Sequence, residues 1–266
     1  MKYILLFITF SILLFSCQKE INIDLNTTNP KTVIEANYTA EDSTVHVKVT
    51  QTSNYFDGNS SPTIDGAAIS ITDKNGLSQP IIGLGNGEYE LSNYVPIFNS
   101  TYTLSVVLNG TTYTAKSTLS SPTPLKDINY EFVPGFFGIE GGHVCYLNYD
   151  DPIDTTNFFF ALISKNGIQR DQVNDFTLTD DRLTDGNSIS RPLFGPDNLF
   201  EIGDTIEFEL RAVDESIFSY YIELQSIAGG NGGQSAAPAN PKSNWNNEAL
   251  GYFNAYSNSR KSVIIL

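Results

Sequence analysis

Thr101-Tyr102-Thr103-Leu104-Ser105-Val106-Val107-Leu108-Asn109-Gly110-Thr111-Thr112-Tyr113-Thr114-Ala115-Lys116-Ser117-Thr118-Leu119 reads as two strands folded back on each other. Tyr102, Leu104, Val106 and Leu108 recur at every second residue, so their side chains share one face of a pleated strand. Asn109-Gly110 follows, and both residues tolerate the positive φ that a two-residue hairpin turn demands. Tyr113 and Ala115 then resume the alternation. Toward the N-terminus, Val45, Val47 and Val49 alternate with His46, Lys48 and Thr50. Ala67, Ile69 and Ile71 repeat the period before Asp73-Lys74-Asn75-Gly76 breaks it, and Gly87-Glu88-Tyr89-Glu90-Leu91 carries a further short strand. Some six or seven strands within roughly 90 residues predict an Ig-like β-sandwich over residues 31–121.

Ser120-Ser121-Pro122-Thr123-Pro124 reads as a linker, because its two prolines cannot extend a sheet interior. Residues 125–266 then read as a second, β-rich domain. Strands are expected around Ile128–Val133, His143–Tyr149, Asn157–Ser164, Thr205–Val213 and Ser262–Leu266. One helix is expected near 214–228: Asp214 or Ser216 can cap it, and Ile217, Tyr220 or Tyr221, Leu224 and Ile227 fall on one face. The glycines from Gly229 to Gly233 end it. The fold class is therefore mainly β, with one helix in the second domain.

The N-terminus decides location. Lys2 precedes an apolar run from Tyr3 to Phe15 interrupted only by Thr9 and Ser11. That run has the length of a signal-peptide core and falls short of the roughly 20 residues a spanning helix needs. It ends in Leu14-Phe15-Ser16-Cys17, which resembles the lipobox of bacterial lipoproteins. The resemblance implies a signal peptide over 1–17 and lipidation of Cys17, with a small residue beside the cleaved bond. Acyl chains, at about 0.8 kcal/mol per buried methylene, would supply the membrane attachment. Residues 18–30 read as a tether. Gln18-Lys19-Glu20 resembles the signals that carry lipoproteins to the cell surface in Bacteroidetes, and no Asp follows the Cys directly.

The net charge is −15, and removing residues 1–17 takes away one more positive charge, Lys2. Such a surface repels phosphate backbones, so nucleic acid is not an expected partner. Of the two cysteines, Cys17 is consumed by lipid, leaving Cys145 without an intrachain partner. Cys145 and His143 sit two residues apart on one expected strand. A small buried hydrophobe beside a strand-edge histidine is the simpler reading than a nucleophile pair, and zinc would need further ligands that are not evident.

Other constellations are thin. Asp150, Asp151 and Asp154 form one acidic cluster, and Asp180, Asp181 and Asp185 with Asn187 another. Oxygen donors of this kind can chelate calcium, but neither cluster has EF-hand spacing, and solvated turns are the expectation. The glycine-rich stretch after Ala228 lacks the Gly-Lys-Ser/Thr ending of a phosphate-binding loop and follows a helix instead of opening one. No cofactor, catalytic group or metal site is assigned. Phe136-Phe137, between Gly135 and Gly138, form a candidate contact for a ligand or partner, since loop aromatics stack on sugars or dock proteins. Phe158-Phe159-Phe160 are expected to fill a core. Asp42-Ser43-Thr44, Asp154-Thr155-Thr156 and Asp204-Thr205-Ile206 resemble the O-glycosylation signal of Bacteroidetes envelope proteins, which makes Ser43, Thr155 and Thr205 candidate acceptors.

The run Gly66-Ala67-Ala68-Ile69-Ser70-Ile71-Thr72-Asp73, with Gly87-Glu88-Tyr89 and Tyr102-Thr103-Leu104-Ser105-Val106, resembles the transthyretin-like or carboxypeptidase-regulatory-like sandwiches. These serve as spacers or binding platforms. Over the full length, further short motifs follow the lipobox in order. They are Gln-Lys-Glu-Ile-Asn-Ile-Asp-Leu from Gln18, Val33-Ile34-Glu35, Asn54-Tyr55-Phe56, Asp151-Pro152, the Tyr220-Tyr221 helix, Pro238-Ala239-Asn240-Pro241, Ser243-Asn244 and Leu250-Gly251-Tyr252-Phe253. In that order they resemble a domain-of-unknown-function family of Bacteroidetes outer-membrane lipoproteins, often encoded beside TonB-dependent receptors. The resemblance implies a setting in nutrient uptake and no catalytic residues. The expected role is a non-enzymatic accessory or ligand-binding lipoprotein, with a TonB-dependent receptor, a glycan or a peptide as partner. An envelope-anchored hydrolase using carboxylates of the second domain is one alternative, and a structural or adhesion lipoprotein another.

Overall fold

The computed structural model describes residues 30–53, 61–135, 141–193, 198–228 and 240–266. The alternating first region forms seven strands: β1 (Thr32–Thr39), β2 (Thr44–Gln51), β3 (Ala68–Thr72), β4 (Ser78–Gly85), β5 (Glu88–Leu91), β6 (Ser100–Leu108) and β7 (Thr111–Leu119). The expected hairpin is present. Leu108 pairs with Thr111 across Asn109 and Gly110, whose φ values of 50 and 80° are both positive, as the turn requires. Val45, Val47, Val49, Ile71, Leu104 and Val106 are fully buried, so the two-residue period in the sequence is the inner face of a sandwich. Three buried tyrosines pack together in this core. Tyr38 packs against Tyr102 with ring centroids 5.0 Å apart and against Tyr94 at 5.4 Å. The Tyr38 hydroxyl donates to the Tyr94 carbonyl at 2.7 Å, which satisfies a polar tip that burial would otherwise leave unpaired.

The second region supplies β8 (Asn129–Val133), β9 (Gly142–Asp150), β10 (Phe158–Lys165), β11 (Ile168–Gln169), β12 (Thr177–Asp180), β13 (Ser188–Pro192), β14 (Thr205–Val213) and β15 (Leu250–Ile264). Among the described residues there is one α-helix, α1 (Glu215–Ala228). Strands β13, β9 and β8 form a three-stranded sheet. It covers the inner face of β10 and β14, where Phe159, Ile163, Phe208 and Leu210 meet Cys145, Leu147 and Tyr149 in a second core. On the opposite face of β10 and β14, Phe160, Leu162 and Val213 form a third cluster with Ile217 and Tyr221 of α1. The Phe158–Phe160 triplet is therefore core, and it feeds two layers because β10 is buried on both faces. The helix face differs from its expectation at one end, since Ile227 is exposed.

Strand β15 decides how the halves join. Its first part, Leu250–Tyr256, runs parallel to β1 (Val33–Thr39), and its second part, Ser257–Ile264, runs antiparallel to β14. One strand thus belongs to both sandwiches. The result is a twelve-stranded sheet running β11-β10-β14-β15-β1-β2-β5-β4-β3-β6-β7, with β12 beside β10.

Two sequence expectations need correction here. The last strand, expected at Ser262–Leu266, begins at Leu250. The division into 31–121 and 125–266 also fails for the C-terminal segment: Trp245, Ala249, Phe253 and Ala255 lie in the first core. The physical reason is that β1 has β2 on one side and needs a neighbour on the other. A parallel partner can only come from a distant part of the chain. Trp245 locks the arrangement by donating its indole N–H to the Ile34 carbonyl at 3.0 Å. The Ser120–Pro124 linker is also more firmly held than its composition indicates. Thr123 and Leu125 are buried, and the Leu125 N–H donates to the Ser259 hydroxyl at 2.9 Å.

Candidate functional site

At one end of the second sandwich, two loops converge. The segment 151–157 connects β9 of the small sheet to β10 of the large one, and 181–187 connects β12 of the large sheet back to β13 of the small one. Strand pairing fixes both. Asp150 of β9 lies opposite Ser188 of β13, and Phe158 of β10 opposite Asp180 of β12. The ladder then extends one step into the loops, where the Asp151 N–H donates to the Asn187 carbonyl at 2.9 Å.

This geometry gathers Asp151, Asp181 and Asp185, with one carboxylate oxygen of each within 4.8 Å of the other two. Asp181 accepts the Asn157 N–H at 2.7 Å, and Asp185 accepts the Asp154 N–H at 3.0 Å. Each loop therefore holds the other. Gly186 takes φ +71°, and a Cβ there would stand 3.1 Å from the Ile153 side chain, so another residue at that place would strain the backbone and press the 181–187 turn against the 151–157 loop.

Asp151 is the unusual member. It is 5% exposed, and neither of its carboxylate oxygens meets a hydrogen-bond donor. Burial pushes its pKa up, and the negative charges of Asp181 and Asp185 push it further. The Gly186 N–H offsets part of this from outside hydrogen-bonding geometry. Chemically, three converging carboxylates offer hard oxygen donors of the kind that hold a divalent cation.

Proximity along the chain groups these acidic residues differently from the fold, which joins one member of the first cluster to two of the second. Asp150 instead pairs with Lys126 at 2.5 Å, and Asp180 with Arg182 at 2.7 Å. Only the long-range pairing of β9 with β13 and β10 with β12 brings the triad together. A chain-local motif search has no signal for it.

The other sequence candidates are dispersed. Cys17, Phe136, Phe137 and the glycine-rich stretch at 229–233 lie outside the described residues. Ser43 is half-buried at φ 51° in the β1–β2 turn, and its carbonyl accepts the Tyr94 N–H. Thr155 is exposed, its hydroxyl donating to the Ile153 carbonyl at 3.1 Å, and Thr205 is exposed at the start of β14. His143 and Cys145 have separate environments. The thiol is buried in the second core and its pKa is pushed up to about 12 by that burial, whereas the imidazole packs between Tyr130 and Phe132. A thiol held so far from its thiolate is no nucleophile at neutral pH. An open depression of about 580 Å³ over β9 and β13 is lined by Lys126, Asp127, Asn148 and Ser190 among others.

Fold and site together define a double β-sandwich protein whose halves share one strand and whose most chemically distinctive feature is a partly buried acidic triad. The chain belongs to the family described as a domain of unknown function, DUF4249, which matches residues 18–262. Among curated proteins none matches. Solved structures similar to it include a two-domain fibronectin type-III segment of chicken tenascin. That match has 13% identity and TM-score 0.23, covering 70% of this chain and 92% of that one. A DUF4785 family protein from Legionella pneumophila matches at 9% identity and TM-score 0.28, covering 70% of this chain and 54% of that one. A 1.5-MDa bacterial ice-binding adhesin matches at 11% identity and TM-score 0.22, covering 89% and 64%.

Proposed function

We propose that the protein is an outer-membrane lipoprotein, anchored through an acylated Cys17 and displayed at the cell surface, where it serves without catalysis as an accessory or ligand-binding component of a TonB-dependent uptake system. The observation that carries this reading is the apolar run Tyr3–Phe15 ending at Leu14-Phe15-Ser16-Cys17, followed by a short polar stretch before β1 starts at Thr32. A chain of that design places a folded body one short tether away from a lipid surface. The TonB setting rests on the family resemblance of the sequence.

The carboxylate arrangement favours binding over hydrolysis. Glycoside hydrolysis uses two carboxyl groups about 5–5.5 Å or about 6.5–9.5 Å apart across a cleft. The triad carboxylates approach more closely than either spacing, within 4.8 Å, and two of the three are buried. Burial of Asp151 and Asp181 keeps those two carboxylates away from a substrate of sugar size.

Protease shaving of intact cells, combined with affinity purification of the tagged protein from detergent-solubilised membranes, tests the proposal. Loss of the protein from shaved cells and recovery of a TonB-dependent receptor with it are the expected results. Protection from protease on intact cells contradicts surface display, and purification without a receptor contradicts the uptake role.

A further inference from the structure

We propose that Asp151, Asp181 and Asp185 form a calcium site that clasps the two sheets of the second sandwich at one end. This goes beyond the lipoprotein reading and does not depend on it. The first observation is the convergence itself: three carboxylates, on the two loops that pass between the sheets, lie with an oxygen of each within 4.8 Å of the others. Two oxygens each about 2.3–2.6 Å from one calcium ion stand at most about 4.6–5.2 Å apart, so the three carboxylates lie at separations of the order that one calcium ion bridges. Magnesium demands near-octahedral order and usually keeps several of its waters, whereas calcium accepts irregular sets of carboxylate and carbonyl oxygens.

The second observation is independent of proximity. Asp151 is 95% buried, given its 5% exposure, directs its carboxylate into the cluster, and has no donor on either oxygen. A buried anion facing two further anions is unfavourable unless its charge is offset, by a proton or by a cation standing among them. Asp181 and Asp185 each spend an oxygen on a backbone N–H of the opposite loop, at 2.7 and 3.0 Å, which holds their carboxylates in place. Asp151 has no such duty, and coordination is the role its geometry leaves open. Bound calcium would tie 151–157 to 181–187 and so hold the small sheet against the large one.

The test uses the full-length chain in detergent, stripped with a chelator, with calcium chloride as titrant and magnesium chloride as control. Bound calcium is counted by equilibrium dialysis, and the thermal midpoint is followed against calcium concentration. Wild type is expected to saturate within the range of about 10⁻⁴–10⁻³ M typical of extracellular modules, with a midpoint that rises with the logarithm of calcium. Asp151→Asn and Asp185→Asn are each expected to bind one calcium fewer per chain and to lose most of the midpoint shift. In chelator, Asp151→Asn is expected to melt no lower than wild type, which separates lost binding from lost folding. Wild type that takes up no calcium, or variants that bind as much as wild type, would overturn the proposal.

Discussion

The Ser117 hydroxyl donates to the Asp214 carboxylate at 2.5 Å and accepts the Ala255 N–H at 2.9 Å, so one side-chain pair joins β7, the start of α1 and the shared strand β15. Asp214 spends its second oxygen on the helix, accepting the N–H groups of Ser216 at 3.0 Å and Ile217 at 3.1 Å. It is the helix N-cap and a strap between sandwiches at once. An N-cap deletion costs about 1 kcal/mol, and leaving a buried donor unsatisfied costs about 1–3 kcal/mol. Asp214→Ala is therefore expected to lose about 2–4 kcal/mol and Ser117→Ala about 1–3 kcal/mol in urea unfolding. The double variant should lose less than the sum, because both act through one contact.

Gly251 and Gly110 both have positive φ, at +88 and +80°, yet their surroundings differ. A Cβ on Gly251 would lie 2.2 Å from the Ile34 carbonyl oxygen, across the β1–β15 pairing, while a Cβ on Gly110 would meet nothing within 4 Å. Gly110→Ala is expected to cost only the backbone strain, about 1 kcal/mol. Gly251→Ala adds a backbone clash and should cost at least about 3 kcal/mol, or separate β15 from β1. Comparing the two variants by chemical denaturation checks the claim that this crossing holds the halves together.

Asp204 links the β10–β11 turn to the start of β14. Although burial pushes its pKa up, hydrogen bonds from Lys165, the Glu201 N–H and Asn166, together with the Lys165 charge, hold it at about 2, against an ordinary 3.8. A carboxyl whose folded pKa is depressed stabilises the fold above its unfolded pKa and loses that contribution as pH falls through the folded one. Asp204→Asn should therefore be less stable than wild type at pH 7. The gap is expected to begin closing near pH 4 and to be nearly gone near pH 2. A gap that stays constant over that window would contradict the assignment.

Cys145 should be chemically silent in the folded protein. Its thiol is fully buried and its pKa is pushed up to about 12. Alkylation by iodoacetamide at pH 8 is expected to leave it unmodified under native conditions and to modify it completely in concentrated urea, read by intact mass.

How legible the fold was depends on where each strand finds its partner. β6 and β7 are neighbours in the chain, and the Asn109-Gly110 turn announces their pairing. β2 shows its period because only one of its faces is buried. The start of β15 was not legible, because Asn254 and Ser257 are buried beside Phe253, Ala255 and Tyr256, which erases the alternation. β4 was hidden by Pro80, which a strand interior ordinarily excludes. Pro80 pairs with Ser70 of β3, while β5 reaches only from Ile82 to Gly85, so Pro80 has a ladder partner on one side alone. The acidic triad was illegible for the same reason as β15, since its members meet only through pairings between strands far apart in sequence. The helix cap, a local feature, is legible down to two candidates, Asp214 and Ser216, and the structure gives it to Asp214.

Lipidation of Cys17 is checked by mass spectrometry of the N-terminal peptide from protein purified out of its native membrane. The expected product is a mature chain starting at Cys17 and carrying a thioether-linked diacylglyceryl group, so that Cys145 supplies the one free thiol in denaturant. A peptide that retains Met1, or a Cys17 with its thiol unmodified, would contradict it.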